Sequence, residues 1–442
     1  MFRRTLALSL LMLPIACGSS DDGEDGVSPQ PETDSGAGGE AGESGAGGAA
    51  GADAGVSGQA GSSGSSGGSS QGGGGSGGAA GGSAGAGGGV CDPFTTVGRT
   101  WSLQEIDYIG GAPIYPDLEL GADDHPRVVF TKGSKTERWA AVSRHDGTHW
   151  SEPEAVETIA NRYLGKRPSL AVQSDGTEHV LAYDEDEGRP RYANKSVGGA
   201  WEVSEIYAQA GDAGDHSCLF VDTKDKLHAT FLEYGSYRLI YGTPTGGTWS
   251  WGAIETQAGP VKGSSTSLFV DGNGQRHVAY YTGTPEEHLH VARSVTTGWE
   301  DEEVDTQAGS GHYPSLTVDA QGTEWIAYLL WPAEVSEVRV ASKGAAGWSV
   351  RTVDPGLGIT YTTGIGLLPC GGVGIAYARN EGTGTQGLWF AYLRPGDAEF
   401  TKVSVDATSY VSGIDLAVDA SGRVHLVYLD ETSYVLKYAV LQ

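Results

Sequence analysis

The chain has 442 residues, and glycine accounts for 71 of them. Lys and Arg total 28 and Asp and Glu total 56, so the formal net charge is −28 at pH 7. A surface of that sign repels phosphate, which excludes nucleic acid and anionic lipid as favoured binding partners.

The first 16 residues have the pattern of an export signal. Arg3 and Arg4 precede an apolar run over residues 6–16. This run is too short to remain as a membrane-spanning helix, so residues 1–16 are predicted to be a signal peptide.

The end of that run carries a resemblance to a known motif. It reads Leu13-Pro14-Ile15-Ala16-Cys17 and is followed by Gly18. This segment resembles the lipobox of bacterial lipoproteins, although Pro14 stands where that family usually has Leu. The resemblance implies a lipid on Cys17, with membrane contact through that lipid alone. It also implies a place in the cell envelope, and Gly18 favours the outer membrane of a Gram-negative bacterium.

Residues 17–90 are predicted to be a disordered tether rich in Gly, Ser and Ala. Between residues 18 and 90 there are 29 glycines, three valines as large aliphatic residues, and no aromatic residue, Lys or Arg. Such a segment buries too little apolar surface to offset its chain entropy. As a Gly-rich coil it would span roughly 45–50 Å. The folded domain is therefore predicted over residues 91–442, which contain all eleven Trp.

A repeat of about 50 residues predicts the fold of that domain. Aromatic residues separated by 48–52 positions each precede a short alternating run, and they are Trp101, Trp150, Trp201, Trp249, Trp299, Trp348 and Phe400. Between them, apolar alternating segments flank Gly- and Asp-containing turns, which is typical of strands and hairpins. Four strands per 50-residue unit are typical of propeller blades. The sequence predicts an all-β, seven-bladed β-propeller with four-stranded blades.

The two ends of the domain predict how the ring closes. The last unit stops at Gln442, before its fourth strand, whereas the segment at Trp101 precedes any first strand of its own. The N-terminal strand is therefore predicted to complete blade 7, which removes open sheet edges.

The turn sequence carries a second resemblance. The segment from Val270 to Tyr280 reads Val-Asp-x-x-Gly-x-x-His-Val-Ala-Tyr. It resembles the BNR-like and NHL-like repeats of secreted propellers. It differs from the sialidase Asp-box, because Asp319 and Gly322 are one residue further apart than in that motif. The resemblance implies a fold that hosts enzymes, lectins and scaffolds alike, so function must be argued from a site.

The candidate metal ligands do not converge in sequence. Four histidines occupy one blade position and would lie around a ring, so they are predicted to pack or bind turns: His179, His228, His277 and His425. The turn aspartates are predicted to bond their own backbone: Asp222, Asp271, Asp319 and Asp419. The acidic run 184–187 lacks the alternating spacing of a calcium loop and is predicted to be solvated. His288 and His290, with Glu286 and Glu287 nearby, show no third ligand. No metal and no cofactor are predicted.

Three cysteines follow Cys17, an odd number for an exported protein. Cys218 is predicted to be a buried thiol. Cys91 and Cys370 fall on the same face of neighbouring blades, so a disulfide between them is predicted to fix the strand that closes the ring. The alternative is three unpaired thiols.

The residue before each innermost strand is predicted to rim the central channel. Around the ring, these positions are Tyr115, Arg167, His216, Ser265, Tyr313, Gly364 and Gly413, flanked by Tyr163, Lys166, Asp215, His312, Tyr361 and Tyr410. Aromatic residues, Arg and His are typical of recognition surfaces. Ligand binding is therefore predicted at Tyr115, Arg167, His216, His312, Tyr313, Tyr361 and Tyr410. The alternative is that these side chains cap the core.

Three functions follow from this surface. A binding module for a glycan or an envelope protein is favoured, because no concentrated carboxylate set or catalytic signature is present and no catalytic residue is assigned. A hydrolase or lyase acting on extracellular polysaccharide is the first alternative, with His216 beside Asp215 and Tyr313 across the ring. A scaffold in an envelope assembly is the second. The oligomeric state is left open.

Overall fold

The computed structural model describes residues 93–109, 115–134, 136–208, 211–234, 236–254, 266–283, 287–331, 336–355, 359–379, 387–407 and 410–442. These residues form seven four-stranded antiparallel sheets and one short 3₁₀ turn, Pro369–Gly371. Within those ranges, no helix has the length and apolarity that crossing a membrane requires.

The first three blades each contain four strands that follow one another in the chain. Blade 1 consists of β2 (Asp117–Leu120), β3 (Pro126–Gly133), β4 (Arg138–Arg144) and β5 (Glu154–Ala155). Blade 2 consists of β6 (Lys166–Val172), β7 (Glu178–Asp184), β8 (Arg189–Lys195) and β9 (Glu202–Glu205). Blade 3 consists of β10 (Ala213–Val221), β11 (Leu227–Glu233), β12 (Arg238–Thr245) and β13 (Thr248–Ile254).

Blades 4 to 6 repeat the same order. Blade 4 consists of β14 (Thr266–Val270), β15 (Arg276–Tyr281), β16 (Leu289–Val295) and β17 (Gly298–Asp305). Blade 5 consists of β18 (Ser310–Val318), β19 (Glu324–Leu330), β20 (Glu337–Gly344) and β21 (Gly347–Asp354). Blade 6 consists of β22 (Ile359–Leu368), β23 (Gly372–Arg379), β24 (Gly387–Leu393) and β25 (Thr401–Asp406).

Blade 7 is assembled from both ends of the domain. Its inner strands are β26 (Val411–Val418), β27 (Val424–Asp430) and β28 (Val435–Leu441), and its outer strand is β1 (Trp101–Tyr108). Trp101 pairs with Leu441 and Tyr108 pairs with Val435. The predicted seven-bladed propeller and its closure by the N-terminal strand are confirmed.

A tyrosine in the second strand of several blades fastens each blade to the one before it. The rings of Tyr328, Tyr377 and Tyr428 are fully buried. Their hydroxyl groups donate to the aspartates that end the preceding blades, namely Asp305 at 2.6 Å, Asp354 at 2.8 Å and Asp406 at 2.8 Å. Because a buried hydroxyl needs a partner, each pair fixes both the position and the angle of its blade.

The predicted structural role of the ring histidines and turn aspartates is confirmed. His228 contacts the Tyr241 hydroxyl through Nδ1 at 2.6 Å and Asp222 through Nε2 at 3.1 Å. Asp222 also accepts hydrogen bonds from two backbone N–H groups of its own turn, at 2.9 Å each. His425 forms the equivalent contacts with Tyr438 and Asp419.

The acidic run 184–187 is not simply a solvated loop, so that prediction is wrong for its first member. Asp184 is fully buried, and its Oδ2 lies 2.5 Å from Nη2 of Arg162. Glu187, which is exposed, pairs with the same guanidinium at 2.9 Å. Arg162 therefore holds residues 184–187 in place through ion pairs with Asp184 and Glu187.

Of the cysteines, Cys218 is buried in β10, as predicted, and its sulfur lies 3.8 Å from the Leu219 carbonyl oxygen. Cys370 lies in the 3₁₀ turn and is disulfide-bonded. Cys91, its predicted partner, lies outside the described residues, as do Cys17, the signal peptide 1–16 and the tether 17–90. The predictions on those segments stay predictions.

Candidate functional site at the channel mouth

The innermost strands of all seven blades surround a cavity of about 180 Å³ at one end of the central channel. Tyr115, Arg167, His216 and Tyr313, four of the predicted ligand-binding residues, line it, and so does Gly413. The predicted rim therefore borders a cavity, in which the aromatic Tyr115 lies directly beside the cationic Arg167.

These side chains point inward because the backbone is forced out of the regular strand. Arg167, His216, Tyr313 and Thr362 have positive φ values of 45°, 53°, 52° and 74°. Each lies in a β-bulge of its strand, where the pairing register shifts. Such a conformation costs about 1–3 kcal/mol for a residue other than glycine, and it costs most for a β-branched one such as Thr. Four strained residues at one structural position are typical of a functional surface.

Neighbouring blades stabilise the strained positions. In three of the four bulges, the carbonyl oxygen of the strained residue accepts a hydrogen bond from a hydroxyl group of the next blade. Ser217 donates to Arg167 at 3.1 Å, Thr266 to His216 at 3.0 Å and Thr363 to Tyr313 at 3.0 Å. The ring of blades therefore holds the cavity-facing residues in place before any ligand arrives.

Arg167 is the fixed cation of the site. Its Nη1 lies 2.7 Å from both carboxylate oxygens of Asp215, and its guanidinium lies 5.0 Å from the centre of the Tyr115 ring. Burial on its own raises the pKa of Asp215, but the positive charge of Arg167 outweighs this effect and holds that pKa well below its usual range. The pair is ionised throughout the physiological range.

His216 is neutral, because burial and the adjacent Arg167 charge lower its pKa to about 3. Its Nε2 lies 3.0 Å from Nη1 of Arg167. Since a guanidinium only donates, Nε2 accepts and the ring proton lies on Nδ1. The site therefore combines a cation, a neutral imidazole and the half-buried Tyr115 ring at one cavity, which suits a ligand rich in hydroxyl groups.

A pair of carboxyl groups also lines the cavity and was missed in the sequence. Asp117 of blade 1 and Asp415 of blade 7 are neighbours in the cavity wall, where the Leu118 N–H donates to Asp415 Oδ2 at 2.8 Å. Burial raises the pKa of both groups, and the charge of Asp117 raises that of Asp415 further. Both residues lie two positions after a rim residue, so a period-2 reading from Tyr115 and Gly413 could have found them.

The remaining predicted residues whose side chains the structure describes do not line the cavity. The His312 ring lies tilted against that of Tyr281, with ring centres 4.1 Å apart, and meets the Trp331 ring edge-on at 5.7 Å. Trp331 is 37% exposed and was not predicted. Tyr410 is half-buried at the loop between blades 6 and 7 and does not line the cavity. The side chain of Tyr361 and all of Ser265 lie outside the described part of the chain.

The prediction was wrong at Gly364, whose place on the rim belongs to Thr362. The bulge between Thr360 and Thr363 shifts the register of β22. Gly364 instead packs against the next blade, where a Cβ atom would come within 2.8 Å of the Leu416 side chain.

Comparison with known proteins gives likeness in structure and none in sequence. No protein-family model matches the chain, and no curated protein is similar to it in sequence. A polysaccharide lyase of family PL25, an ulvan lyase, has a TM-score of 0.53 at 12% identity, covering 77% of this chain and 93% of its own. An ulvan lyase of that family bound to -[GlcA(1-4)Rha3S]- has a TM-score of 0.52 at 12% identity, covering 76% and 92%. A sialidase variant from Streptococcus pneumoniae has a TM-score of 0.45 at 11% identity, covering 77% and 70%. The likeness to the lyases shows a shared propeller fold.

Proposed function

We propose that this protein is a glycan-binding module whose site is the channel mouth, held at the cell envelope by a lipid on Cys17. The observation that carries the proposal is a set of residues with strained backbone conformations that line one cavity: Arg167, His216, Tyr313 and Thr362. Strain of this kind persists only where the surrounding structure enforces it, and it clusters where a ligand is held.

The chemistry of the cavity supports a sugar as the ligand. Tyr115, which is half-buried, places an aromatic ring at the cavity, Arg167 offers donors, and the neutral His216 is not repelled by that cation. Ulvan lyase, which shares the fold, is a polysaccharide lyase, and one such structure holds a uronate-containing saccharide. The volume of about 180 Å³ suits one sugar ring rather than a long segment.

A glycan array with the purified full-length protein tests this proposal. We expect the protein to bind at least one glycan on the array. His216→Asn should weaken that binding by about tenfold, because the amide of Asn is shorter than the imidazole and no longer places its hydrogen-bonding atoms at the same points. Asn tolerates the left-handed conformation of His216, so the backbone is retained. Tyr434→Asn is the matched control, since Tyr434 has φ 54° but is 43% exposed and lies outside the cavity. No hit across a broad array, or equal binding by His216→Asn, would contradict the proposal.

Polysaccharide processing at the same cavity is the second candidate. It is favoured by the carboxyl groups of Asp117 and Asp415, whose raised pKa values leave a proton in the cavity wall at a pH where an isolated Asp has lost its own. New chain ends should then appear when the protein is incubated with the glycan that it binds. Binding with no new ends identifies a module without chemistry.

A further inference from the structure

A second cluster of ligand-type side chains lies in blade 4, on its two outer strands. Donor atoms of His288, His290 and Glu303 all lie within 4.8 Å of one another. His290 is paired directly with Glu303 across β16 and β17, and His288 precedes His290 by two residues, so all three side chains share one face of the sheet. None of the three lines the channel cavity.

His290 has a buried nitrogen that the protein leaves without a partner. The residue is 6% exposed, and its Nδ1 lies 3.2 Å from Oδ2 of Asp301. Its Nε2 is buried and makes no hydrogen bond. Because Nδ1 donates its proton to the carboxylate, Nε2 carries a lone pair, and a buried lone pair without a partner is costly. A cation at this nitrogen removes that cost.

Asp301 is itself held in place, so that His290, Asp301 and Tyr280 form a chain of hydrogen bonds. The hydroxyl group of Tyr280, a fully buried residue, donates to Asp301. A carboxylate that orients a histidine whose other nitrogen binds a metal is the usual outer arrangement of zinc sites. His288 also contacts Glu303 directly through Nδ1, but that contact leaves Nε2 of His290 unsatisfied.

We propose that His288, His290 and Glu303 form a three-ligand zinc site and that Asp301 positions His290. Zinc binds imidazole nitrogen and carboxylate oxygen at about 2.0–2.2 Å in a tetrahedron. Two imidazoles disfavour calcium and magnesium, which prefer oxygen ligands. The side chains of His288 and Glu303 are 20% and 41% exposed, so the fourth position opens to solvent.

The local charge fits a divalent cation. Asp301 and Glu303 place two carboxylates on the face that carries the histidines. The neighbouring cations Arg293 and Lys343 are bound to Glu302, whose side chain lies on the opposite face of the sheet. Bound zinc would neutralise the two carboxylates and join the outermost strand, β17, to β16.

The full-length protein, stripped with a chelator and titrated with Zn²⁺, tests the site. We expect one tightly bound Zn²⁺ per chain. Glu303→Gln and His288→Ala should each weaken binding at least about tenfold, and Asp301→Asn, which touches no metal, should weaken it about 10–100-fold. Co²⁺ at the same site should give the strong visible absorption of tetrahedral coordination.

His149→Ala is the matched control, because it removes an exposed histidine from blade 1. It should leave the affinity for Zn²⁺ unchanged. Glu303→Gln and His288→Ala alter solvent-reaching side chains, so their metal-free melting temperatures should match that of the parent protein. Zn²⁺ affinity that survives both changes overturns the proposal, and so does Ca²⁺ or Mg²⁺ binding of equal strength.

Discussion

Replacing Asp215 by alanine is expected to lower the free energy of unfolding by about 3–5 kcal/mol. The change leaves the buried Arg167 guanidinium, 11% exposed, without its counter-charge. Lys166, 3.6 Å from the same carboxylate, loses a partner as well. Urea denaturation at pH 7, with the slope of the transition checked against the parent protein, measures the effect.

Two comparisons separate the loss of a buried pair from the general loss of an ion pair. Glu205→Ala breaks the Arg189–Glu205 pair, in which both side chains are 41% exposed, and should cost at most about 1 kcal/mol. The double change Arg167→Met with Asp215→Leu should recover most of the stability lost in Asp215→Ala, because apolar groups of similar size replace both charges. If Asp215→Ala costs no more than Glu205→Ala, Arg167 is not a buried cation.

The blades could be predicted from sequence because their signals are local. The aromatic at the start of each outer strand and the Asp-x-x-Gly turn lie within one 50-residue unit, and the unit repeats. Ring closure was also predictable, because β28 ends without an outer partner and β1 begins without an inner one. Chain order alone then assigns β1 to blade 7.

The site could be predicted in part. Tyr115, Arg167, His216 and Tyr313 were found because the rim position repeats from blade to blade. Counting failed at Gly364, since a bulge in β22 adds residues that no sequence pattern marks. The backbone strain at these positions could not be predicted either, because Arg, His and Tyr, unlike Gly, do not indicate a left-handed backbone conformation.

Contacts between segments that are distant in the chain could not be predicted from the sequence. His288 and His290 were visible as a pair, but Glu303 joins them only through the register of β16 and β17. Asp117 and Asp415 come from opposite ends of the domain and meet because the ring closes between blades 1 and 7. Neither carboxylate stands in a motif of its own.

The contribution of the Asp117–Asp415 pair to the stability of this ring is expected to fall as the pH rises from about 4. Both carboxyl groups have a pKa above the ordinary value of 3.8, owing first to burial. The folded state therefore binds the proton more tightly than the unfolded chain does. Its stabilising contribution is complete below pH 3.8 and is lost as the pH passes through the raised pKa. The loss is about 1.4 kcal/mol for each pH unit that separates the folded from the unfolded pKa.

The two aspartates respond differently to an amide because their backbone contacts differ. Asp117 accepts from the Leu170 N–H at 2.7 Å and from the Ser169 hydroxyl at 2.9 Å, both on Oδ2, and neither bond uses its Oδ1. Asp415 uses both oxygens for backbone N–H groups, Oδ2 for Leu118 and Oδ1 for Leu416, at 2.8 Å each. The NH₂ group of an asparagine therefore fits at position 117. At position 415 that group would face a backbone N–H group, so two donors would meet.

Asp117→Asn is accordingly expected to fold with near-parental stability at pH 4 and to gain stability relative to the parent when the pH is raised from 4 to 8. Asp415→Asn should lose about 1–3 kcal/mol at every pH, because one buried N–H then faces another donor. Chemical denaturation of the parent and both variants across this pH range measures the difference. A difference in stability between the parent and Asp117→Asn that does not change with pH, or equal losses in the two variants, would contradict a raised pKa for this pair.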